Sequence, residues 1–315
     1  MKQYSHAWLA FKAVERLQSV TLAAQDRGYA DDLIAWFWDH RDGVIKGAWY
    51  PDQVIKDMAT SHVLKFIPAA QGETEFRSLP DSCQVAALAA QSTVYRQPYK
   101  KVDPADNLPE RCEALAHSVI DNMKMRERED KGSPISPTDN HIATILFMLS
   151  HYVADAHMPF HCDGRKFSSA SDIHAAIEDA WDKEVRKHYK LDLRNERFFY
   201  NPEGYPLRTK TDYSQSFLKR IDEGLALRPF SISYGGANNN VRTYMLAVCQ
   251  SSYALAYAFI PPGFDETNVN TDNWKSLPGQ RVDFDHLSEA VFNDAIDAIA
   301  RVWFRVWRRY VDWAS

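Results

Sequence analysis

Apolar positions recur along most of this chain at the three-to-four-residue step of a helix, and hardly anywhere at the two-residue step of a strand. Residues 5–25 carry Trp8, Phe11, Ala13 or Val14, Leu17, Val20 and Ala24 on one stripe, which predicts a first amphipathic helix stopped by Gly28. Residues 30–40 predict a short aromatic helix around Leu33, Trp36, Phe37 and Trp38, with a turn-rich stretch from Asp42 to Pro51 behind it. Residues 52–67 read as another helix, closed by Pro68. Further helices are predicted over 82–97, 107–130, 138–158, 171–190, 214–227, 239–260 and 284–314. The run from Gly132 to Pro137 is a loop, residues 191–214 a surface excursion, and residues 261–283 a polar, irregular linker. No strand pair and no internal repeat stands out. The pattern predicts one all-α domain over residues 1–315, a helical bundle with long connecting loops.

Composition sharpens this picture. Hydrophobic residues make up 45% of the chain, enough to fill a sizeable core. A net charge of −5 and a pI near 6.1 argue against a general nucleic-acid-binding surface, but bound ions could still make one site locally positive. Cys83, Cys112, Cys162 and Cys249 show no CxxC pairing and read as free thiols in a reducing compartment, with two disulfides as the alternative. The N-terminal segment runs straight into Lys12, Glu15 and Arg16, without the apolar stretch of a signal peptide. No run of about 18 apolar residues exists, so no transmembrane segment is expected. The expectation is a cytoplasmic protein with no obligate protein partner. Trp303, Trp307, Tyr310 and Trp313 form a stripe in the last helix, read as core packing because Arg305, Arg308 and Arg309 supply an ordinary polar face.

The candidate chemistry is concentrated between His151 and Glu178. Within 28 residues this segment carries the imidazoles of His151, His157, His161 and His174 and the carboxylates of Asp155 and Glu178. These are ligand types that zinc prefers. His151 and Asp155 are four apart, so a helix puts them on one face, and His174 and Glu178 repeat the step. Pro159 is expected to end the first helix and let His161 swing back from a loop. His157 falls on another face and reads as structural. Two further candidates lie upstream: Asp52 and His62, ten residues apart on the expected 52–67 helix, and His6 one turn into the first helix.

With these residues in hand, the chain resembles the zinc-dependent phospholipase C and single-strand nuclease superfamily. The resemblance rests on His6, Asp52…His62, His151-x3-Asp155-x5-His161 and His174-x3-Glu178, and spans residues 1 to about 180. It implies a site of three zinc ions. Asp52, His62, His151 and Asp155 would hold one; His161, His174 and Glu178 a second, with room for water. His6 and a bridging Asp155 would hold the third, with the main-chain amine and carbonyl of Met1. Lys2 is bulky, so Met1 is expected to stay, and its neutral amine to serve as a ligand. Three zinc ions against three carboxylates would leave the site about +3, suited to a phosphate ester. Asp52 would orient the attacking water or take its proton.

The resemblance implies two substrate classes, phospholipid and single-stranded nucleic acid or nucleotide, and the chain departs from both. Where the nucleases place a base-stacking aromatic and an aspartate after the histidine matching His62, this chain has Val63 and Lys65. Where the secreted phospholipases place an aromatic and an acidic group for choline, it has Gln53 and Tyr4. The aromatic side chains of Trp36, Trp38, Trp49, Tyr50 and Phe66 read mainly as core, and Arg165 and Lys166 as phosphate contacts or solvated loop charges. The leading expectation is a phospholipase C-like phosphodiesterase. A nuclease or nucleotidase is the alternative, and a metal-stabilised binding protein without turnover the alternative from another class.

Overall fold

The most apolar helix of the chain lies at its centre, where its composition requires it to be. Thr138 caps it by accepting the amide of His141, and α6 (Asp139–Ala156) is then buried almost continuously from Ile142 onward. A helix apolar on all sides must be surrounded. α6 packs on α1 (Gln3–Ser19), α3 (Val44–Tyr50), α5 (Leu108–Arg128) and α11 (Phe284–Ala314). A second buried helix, α10 (Val241–Phe259), packs on α5, α4 (Gln84–Ala89) and the four-residue α7 (Pro159–Cys162). α2 (Ala24–His40) and α9 (Phe217–Gly224) lie on α11, and α8 (Ile173–His188) lies on α1. The buried apolar side chains form one continuous cluster. This computed structural model describes residues 1–56, 60–130, 132–167, 172–237 and 240–314.

The chain is broadly helical, and most of the stretch from Asp42 to Pro51, expected to be turns, is the helix α3; three further departures from the periodicity reading stand out. First, Gly28 does not stop a helix. α1 ends at Ser19, where Val20 turns extended, and Gly28 lies inside α2. Second, the described part of residues 52–67 does not form one helix. A single π turn, Pro51–Ile55, ends at Lys56, whose φ of 55° breaks the helical path. Third, strands exist. β1 (Phe66–Glu73) pairs antiparallel with β2 (Tyr99–Lys101), Phe66 opposite Lys101, and β3 (Leu191–Asp192) pairs with β4 (Arg197–Phe198). The partner of β1 lies more than 25 residues away, so local periodicity carries no trace of the pairing. The helix expected over 82–97 shortens to α4, and the one over 214–227 to α9 with a terminal 3₁₀ turn.

Trp303, Trp307 and Tyr310 are buried in the core, whereas the side chain of Trp313 lies outside the described residues. The four cysteines are free thiols. Among the described residues no helix is long and apolar enough to cross a membrane.

Candidate metal centre

The two helical pairs form as their spacing dictates. On α6, His151 and Asp155 face the same way, with Nε2 to Oδ2 at 3.1 Å; on α8, His174 Nε2 lies 2.9 Å from Glu178 Oε1. His151 donates Nδ1–H to the carbonyl of Ala48 at 2.7 Å, which leaves Nε2 for the site. His6, on α1, stacks on His151 with ring centroids 3.9 Å apart, and its Nε2 stands 3.5 Å from Asp155 Oδ1.

The other residues reach the site by routes that the sequence did not announce. His62 sits in a bend a few residues before β1, and Asp52 on the π turn. The two are still brought together, His62 Nδ1 lying 3.7 Å from Asp52 Oδ1 and 2.9 Å from Asp155 Oδ2. Pro159 does not release a loop. It opens α7 as its first residue, and His161 rides on that helix. His161 Nδ1 lies 3.6 Å from Asp155 Oδ2, and Nε2 3.5 Å from Glu178 Oε1. The Met1 amine completes the set, 3.1 Å from Asp155 Oδ1 and 2.7 Å from Glu178 Oε1.

All nine residues singled out from the sequence thus converge, with Asp155 at the hub. Eight of them, all but Met1, form three groups whose ligand atoms lie within 4.8 Å of one another: His6, His151 and Asp155; Asp52, His62 and His151; His161, His174 and Glu178. His151 therefore stands in two groups. The resemblance had placed it in one and had made Asp155 the shared member. His157 is apart from the groups. Its Nδ1 faces the Val153 carbonyl at 2.8 Å behind the end of α6, and burial pushes its pKa down to about 4.

The electrostatics follow from burying many titratable groups together. Burial works against the Asp155 carboxylate, but the Met1 amine, His161 and His151 outweigh it and hold it well below the usual range. Glu178 is held down in the same way by the amine and His174. Burial pushes the amine down too, yet Asp155 and Glu178 raise it to about 11. In this arrangement the amine is a charged ammonium rather than the neutral ligand expected, and it must lose its proton before it can bind a metal. Burial takes His161 to about 4 and His6 well below the ordinary histidine value, and raises the carboxyl of Asp52.

The aromatic residues near these segments largely take the core parts expected of them, and Arg165 takes neither of the parts considered for it. Phe66 is core and Trp36 packs on Trp307, whereas Trp49 stands half-buried beside the site, 6.4 Å from the His6 ring and 6.3 Å from that of His151. Arg165 is neither a solvated charge nor aimed at the site. It is tied to Asp163 and to backbone carbonyls at the end of α10. Asp182 went unnoticed in the sequence, although it lies four residues after Glu178 on the same face of α8. It accepts the Tyr4 and Ser5 amides and so holds the start of α1 beside Glu178.

No family model matches the chain, and no curated protein or solved structure matches it.

Proposed function

We propose that this chain is a zinc-dependent phosphoester hydrolase of the phospholipase C-like kind, on the all-α fold of the phospholipase C and single-strand nuclease superfamily. The observation that carries the reading is the convergence of three groups of ligand atoms, each within 4.8 Å, on one buried carboxylate. Both ring nitrogens of His6, Nε2 of His62 and Nδ1 of His161 are buried without a hydrogen-bond partner. Orphaned imidazole nitrogens are costly unless something binds them. A donor set of imidazole nitrogen and carboxylate oxygen fits zinc.

Zinc bound here would supply Lewis acidity toward a phosphoryl oxygen and a water acidic enough to attack near neutral pH. The chain's own residues do the rest. Asp155 anchors imidazoles from four segments in one geometry. Asp52 stands at the rim, its side chain 10% exposed, with a carboxyl that burial has already shifted toward holding a proton. It is placed to orient the attacking water and take up its proton at a carboxylate oxygen. His174, 30% exposed, marks the open edge through which a phosphate ester enters.

Two observations choose among the alternatives. A structural zinc is closed off by its ligands, whereas the rim here is open at His174, 30% exposed, which favours hydrolysis over a purely structural metal. The turn that follows Asp52 exposes Val54 (51%) and Ile55 (37%), an aliphatic rim better suited to a lipid than to a stacked base.

The test is turnover of a short-chain phosphatidylcholine and of single-stranded DNA by the zinc-loaded chain, with Asp52→Asn and His161→Ala beside it. The reading expects hydrolysis of the phospholipid and a loss of kcat of roughly 100-fold or more in both variants. Full activity in both variants refutes the site, and cleavage of DNA alone overturns the lipid branch. Zinc bound without turnover on either substrate supports the non-catalytic alternative.

A further inference from the structure

We propose that Arg165, through its pair with Asp163, is the positioning residue for His161. The inference rests on the zinc reading above. α7 has four residues, too few to hold a helix by its own hydrogen bonds. His174 and Glu178, which share a group with His161, ride on the 16-residue α8. The third member of that group therefore depends on whatever anchors α7 from outside.

Besides the packing of α7 on α10, two backbone hydrogen bonds and one guanidinium hold the segment. Leu64 donates its amide to the His161 carbonyl at 3.1 Å, and Gly164 donates to Phe66 at 2.9 Å, which ties both ends of the segment to the start of β1. Between these two contacts sits Asp163, almost fully buried. It receives Arg165 Nη2 at 2.7 Å and Nε at 2.9 Å on Oδ2, and the Arg165 amide at 2.9 Å on Oδ1. The same guanidinium reaches into the end of α10. Nη1 donates to the carbonyls of Ile260, Pro261 and Phe264 at 2.8, 3.0 and 3.2 Å, and Nη2 to that of Ala256 at 3.3 Å. Its plane lies 3.7 Å from the centre of the Tyr257 ring. Ala256 and the capping residue Ile260 lie at the negative dipole end of α10, so a cation is well matched to their carbonyls.

One side chain therefore joins the end of α10 to the segment that carries His161, while the backbone bonds of Leu64 and Gly164 tie that segment to the start of β1. A lysine cannot replace it, because a single ammonium lacks the planar fork that serves a carboxylate and four carbonyls at once. With the clamp loosened, His161 drifts while His174, Glu178 and the ligands on α1 and α6 stay. Outer residues that orient a metal ligand are typically worth about 10–100-fold in metal affinity.

The experiment counts zinc on the full chain by mass spectrometry and measures each affinity by chelator competition, for wild type, Arg165→Lys and Asp163→Asn. Arg301→Lys serves as a control: that arginine is buried still more deeply than Arg165, donates to the Ser231 carbonyl at 2.7 Å, and lies on α11. The expected result is three zinc ions on wild type and on the control. Each clamp variant should keep two at wild-type affinity and hold the third about 10–100-fold more weakly. Circular dichroism and the melting temperature of the metal-free chains report the fold separately. Three zinc ions at wild-type affinity in Arg165→Lys overturn the proposal, as does an equal weakening of all three that tracks the loss of melting temperature. A wild type that binds no zinc defeats the zinc reading itself, and does so before any variant is compared.

Discussion

Replacing Asp155 by Asn tests the hub of the site while preserving its shape. The carboxylate is buried against the Met1 amine at 3.1 Å, with His62, His151, His6 and His161 between 2.9 and 3.6 Å from its oxygens. At an effective dielectric of about 20, a unit pair at that separation attracts by about 5 kcal/mol. Part of this returns when the amine regains water, part is kept by Glu178, and removing one partner of a buried pair typically costs about 3–5 kcal/mol. The metal-free Asp155→Asn chain should therefore be less stable by about 3 kcal/mol. The effect on zinc should be larger and selective. Asp155 is a member of the His6–His151 group and lies beside His62 and His151 in the Asp52 group, while His161, His174 and Glu178 form a group without it. Zinc content should fall from three toward one. Urea unfolding of the chelated chain gives the first quantity and metal analysis of the loaded chain the second. An Asn variant that keeps three zinc ions and unfolds at the wild-type urea midpoint would falsify the hub assignment.

Chelation alone should lower the melting temperature of wild type, because it leaves orphaned imidazoles and crowded carboxylates behind. Zinc should restore it and magnesium should not, since the donors are largely nitrogen. Gly47→Ala should destabilise by about 1–3 kcal/mol in urea unfolding and weaken zinc binding at Asp52, because a Cβ there would sit 2.8 Å from the Phe147 ring and push α3 off α6. Asp294 is buried on α11, accepts the Gln84 and Val85 amides, and is raised by burial from 3.8 to about 6. Its contribution to stability is present in full below the unfolded value and is lost as pH rises through about 6, a change on the order of 3 kcal/mol. Asp294→Asn removes that titration, so the stability difference between variant and wild type should grow in the variant's favour from pH 4 to pH 7. A difference independent of pH would sink this account.

Much of the candidate site was legible because helical spacing is a local property. His151 with Asp155, and His174 with Glu178, meet wherever a helix forms, and both helices form. His62 came to Asp52 despite a wrong reason: among the described residues Asp52 lies on a π turn and His62 in a bend, not on one continuous helix. Gly28 misled because glycine costs a helix only about 1 kcal/mol, which the packing of α2 on α1 and α11 outweighs. The strands β1 and β2 left no signal, since neither is half-buried over enough residues to alternate visibly.

The sequence by itself determined the helical class, the positions of the long helices, and the residue types able to meet a metal, because each depends on neighbours within two turns. Only the tertiary structure decided which ligands share a group, that His151 stands in two of the three while Asp155 lies within 3.6 Å of imidazoles from all of them, and that Arg165 turns away from the site to clamp α7 against α10. Those outcomes depend on where segments more than 50 residues apart come to rest, and that is set by the burial of α6 and α10 in a common core.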